Sequence, residues 1–404
     1  MHSDDGTQNE EVIGSNANCL SSRGAIPTSW IARVSSKVPD VVARCASRAA
    51  HLLVQYTNRH VHIPGNPWDR YPYINVKRYE GKLTCGTRFR PLTLNCETVN
   101  TCNNACVICA CSEQTRKKIS MSMSIFEKVV QDYSSMGGGH MSLTPIVGDI
   151  LMDRDILERL RILESHPGID DLSVTTNASL AHRFDDSELR YFVSRFSRIQ
   201  ISIYGLDAEE YREMTKRKTY DQMVTGIRRF LQVGADKVTF SFRLLRQWTR
   251  RDVDAWLDRT IYANLAGRAI TTEPRPINSL MTGGYANWGV LDTSKPLPFN
   301  ASWCPPRVNK TQCMLPILSF LVYSNGNVSF CPCDNFDDVE ELSLGNIKDA
   351  TLLELYNTPK AKALWNWKEH GVPGFCKRCT FHIPIQYLRL SREALDDPFK
   401  IMGG

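Results

Sequence analysis

Pro91-Leu-Thr-Leu-Asn95 is a short apolar run, and shortly after it the chain reads Cys102-Asn-Asn-Ala-Cys106-Val-Ile-Cys109. The run reads as a strand, and the cysteines as a loop before a helix that starts near Ser124. The C-x3-C-x2-C spacing puts three thiolates on one loop. Such a set can hold three irons of a [4Fe–4S] cube and leave the fourth open to a ligand. A structural zinc site is instead closed by four ligands, normally in two separated pairs. The triplet therefore reads as a catalytic cluster site.

Outward from this loop, short apolar runs alternate with helical patterns. Strands are expected at Pro91–Asn95, Met141–Pro145, Leu172–Thr176, Ile199–Tyr204, Lys237–Phe242 and Ala269–Thr272. Helices are expected at Ser124–Ser134, Arg154–Glu164, Asp186–Arg195, Tyr220–Val233 and Arg250–Leu265. The alternation predicts an α/β fold, a parallel sheet with helices outside, curled into a partial (β/α)6 barrel over residues 89–276. Ligands of such sheets gather at the strand ends. Met136-Gly-Gly-Gly-His140 lacks the Lys-Ser/Thr of a phosphate loop and reads as a turn from helix into strand.

Residues 1–88 form an extension, polar and disordered at its start, with amphipathic helical patterning over 28–56. From 277 to 404 the pattern changes, with frequent Gly, Pro, Trp and Cys. Asn325-Gly326 between Phe320–Tyr323 and Asn327–Phe330 is a hairpin signal, and a helix is expected near Thr351–Tyr356. This part reads as a small metal-stabilised C-terminal domain.

The chain has 404 residues with 49 basic and 43 acidic side chains, a net charge of +6 too small and dispersed to argue for nucleic acid. Its longest apolar run, Met314–Tyr323, is too short to span a bilayer. Met1–Ser15 is acidic and polar, unlike a signal peptide. Its 14 cysteines then read as metal ligands in a reducing cytosol, giving a cytoplasmic expectation.

The triplet and the strand ends together resemble the radical S-adenosylmethionine (radical SAM) superfamily over roughly residues 89–276. Leu143-Thr-Pro-Ile-Val-Gly148-Asp149 stands where the family carries a Gly-Gly-Glu segment that holds the methionine amino group. Val147 and Asp149 replace Gly and Glu, while Asp149 keeps the carboxylate and Gly148 the close backbone approach. Thr175-Thr176-Asn177 and Ile201-Ser202-Ile203-Tyr204-Gly205 match places where members contact the ribose and carboxylate of SAM. Ile108 stands where members often carry an aromatic residue. The resemblance implies that Cys102, Cys106 and Cys109 hold a [4Fe–4S] cluster, and that Gly148, Asp149, Asn177 and Ser202 bind SAM. It also implies reductive cleavage of SAM to a 5′-deoxyadenosyl radical that abstracts hydrogen from carbon. An electron donor such as flavodoxin or ferredoxin is implied as a partner. Cys111, on the same loop, fits the signature less well and reads as a small buried thiol.

Cys313, Cys331, Cys376 and Cys379 form a second set. On spacing alone, zinc remains open. With Gly326, Gly345-Asn346-Ile347 and the C-x-x-C pair, this stretch resembles the SPASM/twitch extension of radical SAM enzymes. The absence of cysteine after Cys379 favours the twitch form, with one auxiliary [4Fe–4S] cluster fully ligated and therefore an electron relay. Cys304 and Cys333, near that set, read by default as buried thiols, and are candidates for a further cluster ligand or for returning a hydrogen atom to a substrate radical. Arg243 and Glu273, near the ends of the fifth and sixth strands, are candidates for binding substrate or acting as a base. The nine histidines show no metal-ligand spacing.

The single auxiliary cluster resembles that of radical SAM dehydrogenases and epimerases acting on small polar molecules, sugars or aminocyclitols. A maturase of a ribosomally made precursor peptide is the alternative, weakened by the lack of a strand-rich N-terminal leader-binding pattern. A non-catalytic iron–sulfur or zinc protein is the third reading.

Overall fold

The computed structural model describes residues 84–85, 88–265, 276–285, 291–303, 312–379 and 381–382. The expected helices of 28–56, the expected strand Ala269–Thr272, Glu273 and Cys304 lie outside the described residues.

Six strands run parallel and side by side in one sheet: β1 (Thr93–Cys96), β2 (His140–Ser142), β3 (Asp171–Thr176), β4 (Arg198–Ile203), β5 (Val238–Leu244) and β6 (Ile277–Thr282), adjacent in that order. Every residue of β1 and β2 is buried, as are five of the six in β4. Burial on both faces explains why these strands read as continuous apolar runs rather than alternating ones. β6 is the departure: it lies beyond residue 276, and none of its residues is fully buried.

The helices α1 (Met123–Ser135), α2 (Ile156–Glu164), α3 (Asp186–Arg195), α4 (Ala208–Thr215), α5 (Tyr220–Gly234) and α6 (Arg250–Trp256) connect the strands. α5 buries Met223, Val224, Ile227, Phe230 and Leu231, the stripe that a 3.6-residue period places on one face. α3 starts at a capping box in which Asp185 and Glu188 satisfy each other's backbone donors. The helix expected to run from Arg250 to Leu265 changes pitch: a π-turn covers Leu257–Ile261 and a 3₁₀ turn Tyr262–Asn264. The glycines after α1 form the expected turn. Gly138 has φ +59°, and a Cβ there would fall 2.1 Å from the Gly168 carbonyl oxygen.

The C-terminal hairpin does not build a sheet of its own. β7 (Ser319–Val322) pairs parallel with β1, and β8 (Asn327–Ser329) and β9 (Ser343–Asn346) continue antiparallel from it. Gly326, at φ +91°, makes the turn that Asn-Gly predicted. One nine-stranded sheet thus runs through both halves of the described chain.

His140 on β2 is buried, with Nε2 2.9 Å from Ser173 Oγ. Burial lowers its pKa to about 4; Asp171 opposes the shift and Arg198 adds to it. The folded state therefore holds a neutral ring where the unfolded chain would take a proton. This contribution is whole above pH 6.5 and is lost as pH falls towards about 4, by about 3 kcal/mol in total. In urea titrations over that range, wild type should lose stability relative to His140→Gln, and the two curves should run parallel above pH 7.

Candidate functional site

The loop between β1 and α1 carries the triplet. The backbone N–H of Cys109 donates to the Cys106 carbonyl at 3.0 Å, closing a turn between two of the thiols. α4 holds this turn from outside, with Ala105 N–H to Thr215 O and Val107 N–H to Met214 O, both 2.9 Å. Cys102 Sγ accepts from the Asn104 N–H at 3.4 Å and lies 3.9 Å from Asn177 Nδ2. Burial pushes the Cys102 and Cys106 thiols well above their usual range and Cys109 to about 12. Neighbouring thiols add to each shift, and Arg243 opposes it at Cys106 and Cys109. Three thiolates could coexist here only with positive charge among them, which bound iron supplies.

The end of β2 packs directly on this loop. Asp149 N–H donates to Thr101 O at 2.9 Å. Gly148 sits at φ +143°, where a Cβ would fall 2.9 Å from Val99 O and 3.1 Å from Thr101 O. The Asp149 carboxylate accepts from Leu151 N–H (3.0 Å), Thr176 Oγ1 (2.9 Å) and Asn177 N–H (2.7 Å). Burial raises its pKa and these donors oppose the rise. Asp149 is thus a brace between the ends of β2 and β3, with lone-pair capacity left on one oxygen for a further donor. Asn177 bridges to Asn103 Oδ1 at 2.9 Å and accepts from Ser179.

Ser202 is buried and, by the period of two, shares a face of β4 with Gln200 and with Tyr204 just past its end. The Tyr204 hydroxyl is pushed well above its usual range, first by burial and then by Cys106, while the positive charge of Arg243 on β5 pulls the other way. Over the triplet, Gly284–Tyr285 and Ser302–Trp303 pair as two short parallel strands. Tyr285 packs in one apolar cluster with Cys106, Ile108, Met214, Leu245 and Leu297. Both the Tyr285 hydroxyl and the Trp303 indole N–H are buried without a hydrogen-bond partner. Two polar atoms left unsatisfied in an apolar roof point to a ligand that pairs with them.

The second cysteine set shares one pocket. Cys313, Cys331, Cys376 and Cys379 line one pocket, together with Cys333 and Asp334. The Asp334 N–H lies 3.5 Å from Cys331 Sγ. Burial raises the Asp334 carboxyl to about 7, opposed by a hydrogen bond with Cys379. Among the described residues no group of three or more His, Cys, Asp or Glu is drawn tightly enough to hold a metal ion.

Two family profiles match the chain where these two sites lie: the Radical SAM superfamily over residues 96–259, and an iron–sulfur cluster-binding domain, SPASM, over residues 313–380. The chain carries a radical SAM domain and, after it, a SPASM domain. The GTP 3′,8-cyclase of Petrotoga mobilis is 25% identical over 187 residues, which is 46% of this chain and 56% of that protein. A probable GTP 3′,8-cyclase of Archaeoglobus fulgidus is 26% identical over 159 residues, 39% of this chain and 51% of that protein. The chain spans about half the length of these curated relatives. Streptococcus suis SuiB bound to S-adenosylmethionine superposes with a TM-score of 0.48 at 15% identity, over 86% of this chain and 89% of that one. The radical SAM domain implies a SAM-bound [4Fe–4S] cluster, and the SPASM domain implies auxiliary iron–sulfur clusters.

Within this radical SAM fold the structure places two further cysteines. Cys333 lines the pocket of the second cysteine set. Cys111 is buried among Ala110, Val147 and Phe336, with Gln114 Nε2 3.7 Å from its sulfur. Tyr204 was within reach of sequence reasoning, since it follows Ser202 by one strand period. Tyr285 and Trp303 carry no such signal. Replacing Cys102, Cys106 or Cys109 by Ala should remove the triplet-site iron, whereas Cys111→Ala should retain it, by iron and sulfide analysis. Asp149→Asn, which turns an amide group towards donors, should lower unfolding stability by about 2 kcal/mol and weaken SAM binding in equilibrium dialysis.

Proposed function

We propose that this radical SAM enzyme abstracts hydrogen from a small polar substrate, sugar- or aminocyclitol-like, and oxidises it. In this reading the SPASM domain holds one auxiliary cluster that serves as an electron relay. The observation that carries this is the convergence of Cys313, Cys331, Cys376 and Cys379 on a single pocket. Four thiols complete the coordination of one cluster and leave no iron open for substrate. Such a site exchanges electrons rather than binding the reacting molecule.

When bound at the triplet, reduced cluster and SAM supply the 5′-deoxyadenosyl radical, and the protein's part is to bind, orient and shield. Asp149, Asn177 and Ser202 stand at the strand ends to hold SAM. The segment carrying Tyr285 and Trp303 covers the triplet with apolar surface and excludes water. Oxidation of a substrate that has lost a hydrogen atom requires loss of a proton and one further electron, and Cys313, Cys331, Cys376 and Cys379 would hold the auxiliary cluster that accepts that electron. The names of the curated relatives refer to GTP, itself a small polar molecule, which agrees with the substrate class.

Two measurements test the reading. Deuterated sugars and aminocyclitols, and deuterated peptides, should be offered to reduced enzyme with SAM. Deuterium should appear in 5′-deoxyadenosine from the small molecules; transfer from peptides alone would overturn the substrate class. The Cys376→Ala/Cys379→Ala variant should still cleave SAM but lose oxidised product, and full product yield from it would remove the relay role.

A further inference from the structure

The loop with the triplet and the segment with Cys331 are fastened to each other by one buried guanidinium. Arg116, five residues beyond Cys111, donates from Nη1 and Nη2 to Glu97 Oε1 and Oε2 at 2.7 and 2.9 Å. Its Nε donates to the Phe336 carbonyl at 2.8 Å, and its plane lies over the Tyr323 ring at 4.6 Å. Glu97, fully buried just after β1, also accepts from the Ser324 N–H (3.2 Å) and Oγ (3.1 Å) in the hairpin turn. Asp337 closes the far side, accepting from Thr115 N–H (2.6 Å), Thr115 Oγ1 (2.8 Å) and Arg116 N–H (3.3 Å). Between these polar contacts, Phe336 packs with Ala110, Cys111 and Val147, against which Cys102 and Cys109 also rest.

Two segments that each carry cluster ligands thus meet through Arg116 and Phe336. Phe336 is five residues from Cys331 on one side and in the apolar cluster of Cys102 and Cys109 on the other. A planar fork that pairs bidentately, reaches a carbonyl and stacks on a ring fixes both distance and orientation, which a lysine ammonium cannot do.

We propose that Arg116, with Glu97, Phe336 and Asp337, is the positioning unit that sets the separation of the two cysteine sites. Electron exchange between clusters falls steeply with separation, so this clamp governs their coupling. The proposal rests on the reading of both sites as cluster sites.

The test uses the full chain reconstituted with iron and sulfide. Glu97→Gln/Arg116→Gln removes both charges together, so that neither is left buried alone, and Asp337→Ala removes the outer bonds without burying a charge. Both should keep wild-type iron and sulfide. The magnetic interaction between the two reduced clusters, read by pulsed EPR, should weaken or split into several populations. Amide exchange should quicken several-fold in residues 98–117 and 331–337 while α5 keeps wild-type protection, and Arg116→Lys should fall between. Wild-type interaction and exchange in both variants would overturn the proposal. So would faster exchange throughout the chain with the interaction unchanged, which is the mark of a merely structural pair. Should the double variant fail to fold, Asp337→Ala decides by the same readings. A wild type with no second cluster would end the two-cluster reading, and the exchange comparison would still decide whether the clamp exists.

Discussion

The four residues Thr93–Cys96 are hydrogen-bonded on both edges, to β2 on one side and β7 on the other. This double pairing is the constraint on which the rest depends. The triplet loop leaves the end of β1, and the hairpin leading to Cys331 begins at its neighbour β7. Two cysteine segments far apart in sequence are thereby tied to neighbouring strands of one sheet. Hydrogen bonds across strands are individually worth only about 1 kcal/mol net. Fully buried strands leave them no competition from water, and misregister would strand buried N–H and C=O groups at larger cost.

Charge decides what the triplet end of that sheet can hold. Every thiol of the triplet is driven towards its neutral form by burial and by its neighbours, and Arg243 opposes the shift at only two of them. Asp149 adds negative charge beside Cys102 rather than relieving it. A site built this way is incomplete without a cationic inorganic group, and an iron–sulfur cluster meets the need while the polar strand ends hold its organic partner. Arg116 answers the same problem at Glu97: a buried carboxylate is tolerated because its donors are all in place, and removing one partner leaves an uncompensated charge.

Much of this was legible in the sequence. β1 to β5 could be read because parallel strands buried on both faces are continuous apolar runs, and α5 because its stripe repeats on one face. The two domains that carry the triplet and the four later cysteines could be read from the triplet's spacing and the family resemblance. β6 could not: Asn278, Ser279 and Thr282 give a partly exposed edge strand the composition of a loop. α4 was hidden by its charge, with Glu209, Glu210, Arg212 and Glu213 in eight residues. Glu210 is nonetheless fully buried, accepting from Arg246 N–H and Trp248 Nε1, and only tertiary partners reveal that. The Arg116 clamp was equally invisible, since its two halves are more than two hundred residues apart.

The central claim is that the triplet binds a reducible cluster that cleaves SAM. It is tested most directly by incubating anaerobically reconstituted protein with SAM and dithionite and measuring 5′-deoxyadenosine. Wild type should form it and Cys106→Ala should not. Equal amounts from both, or none from cluster-loaded wild type, would contradict the account.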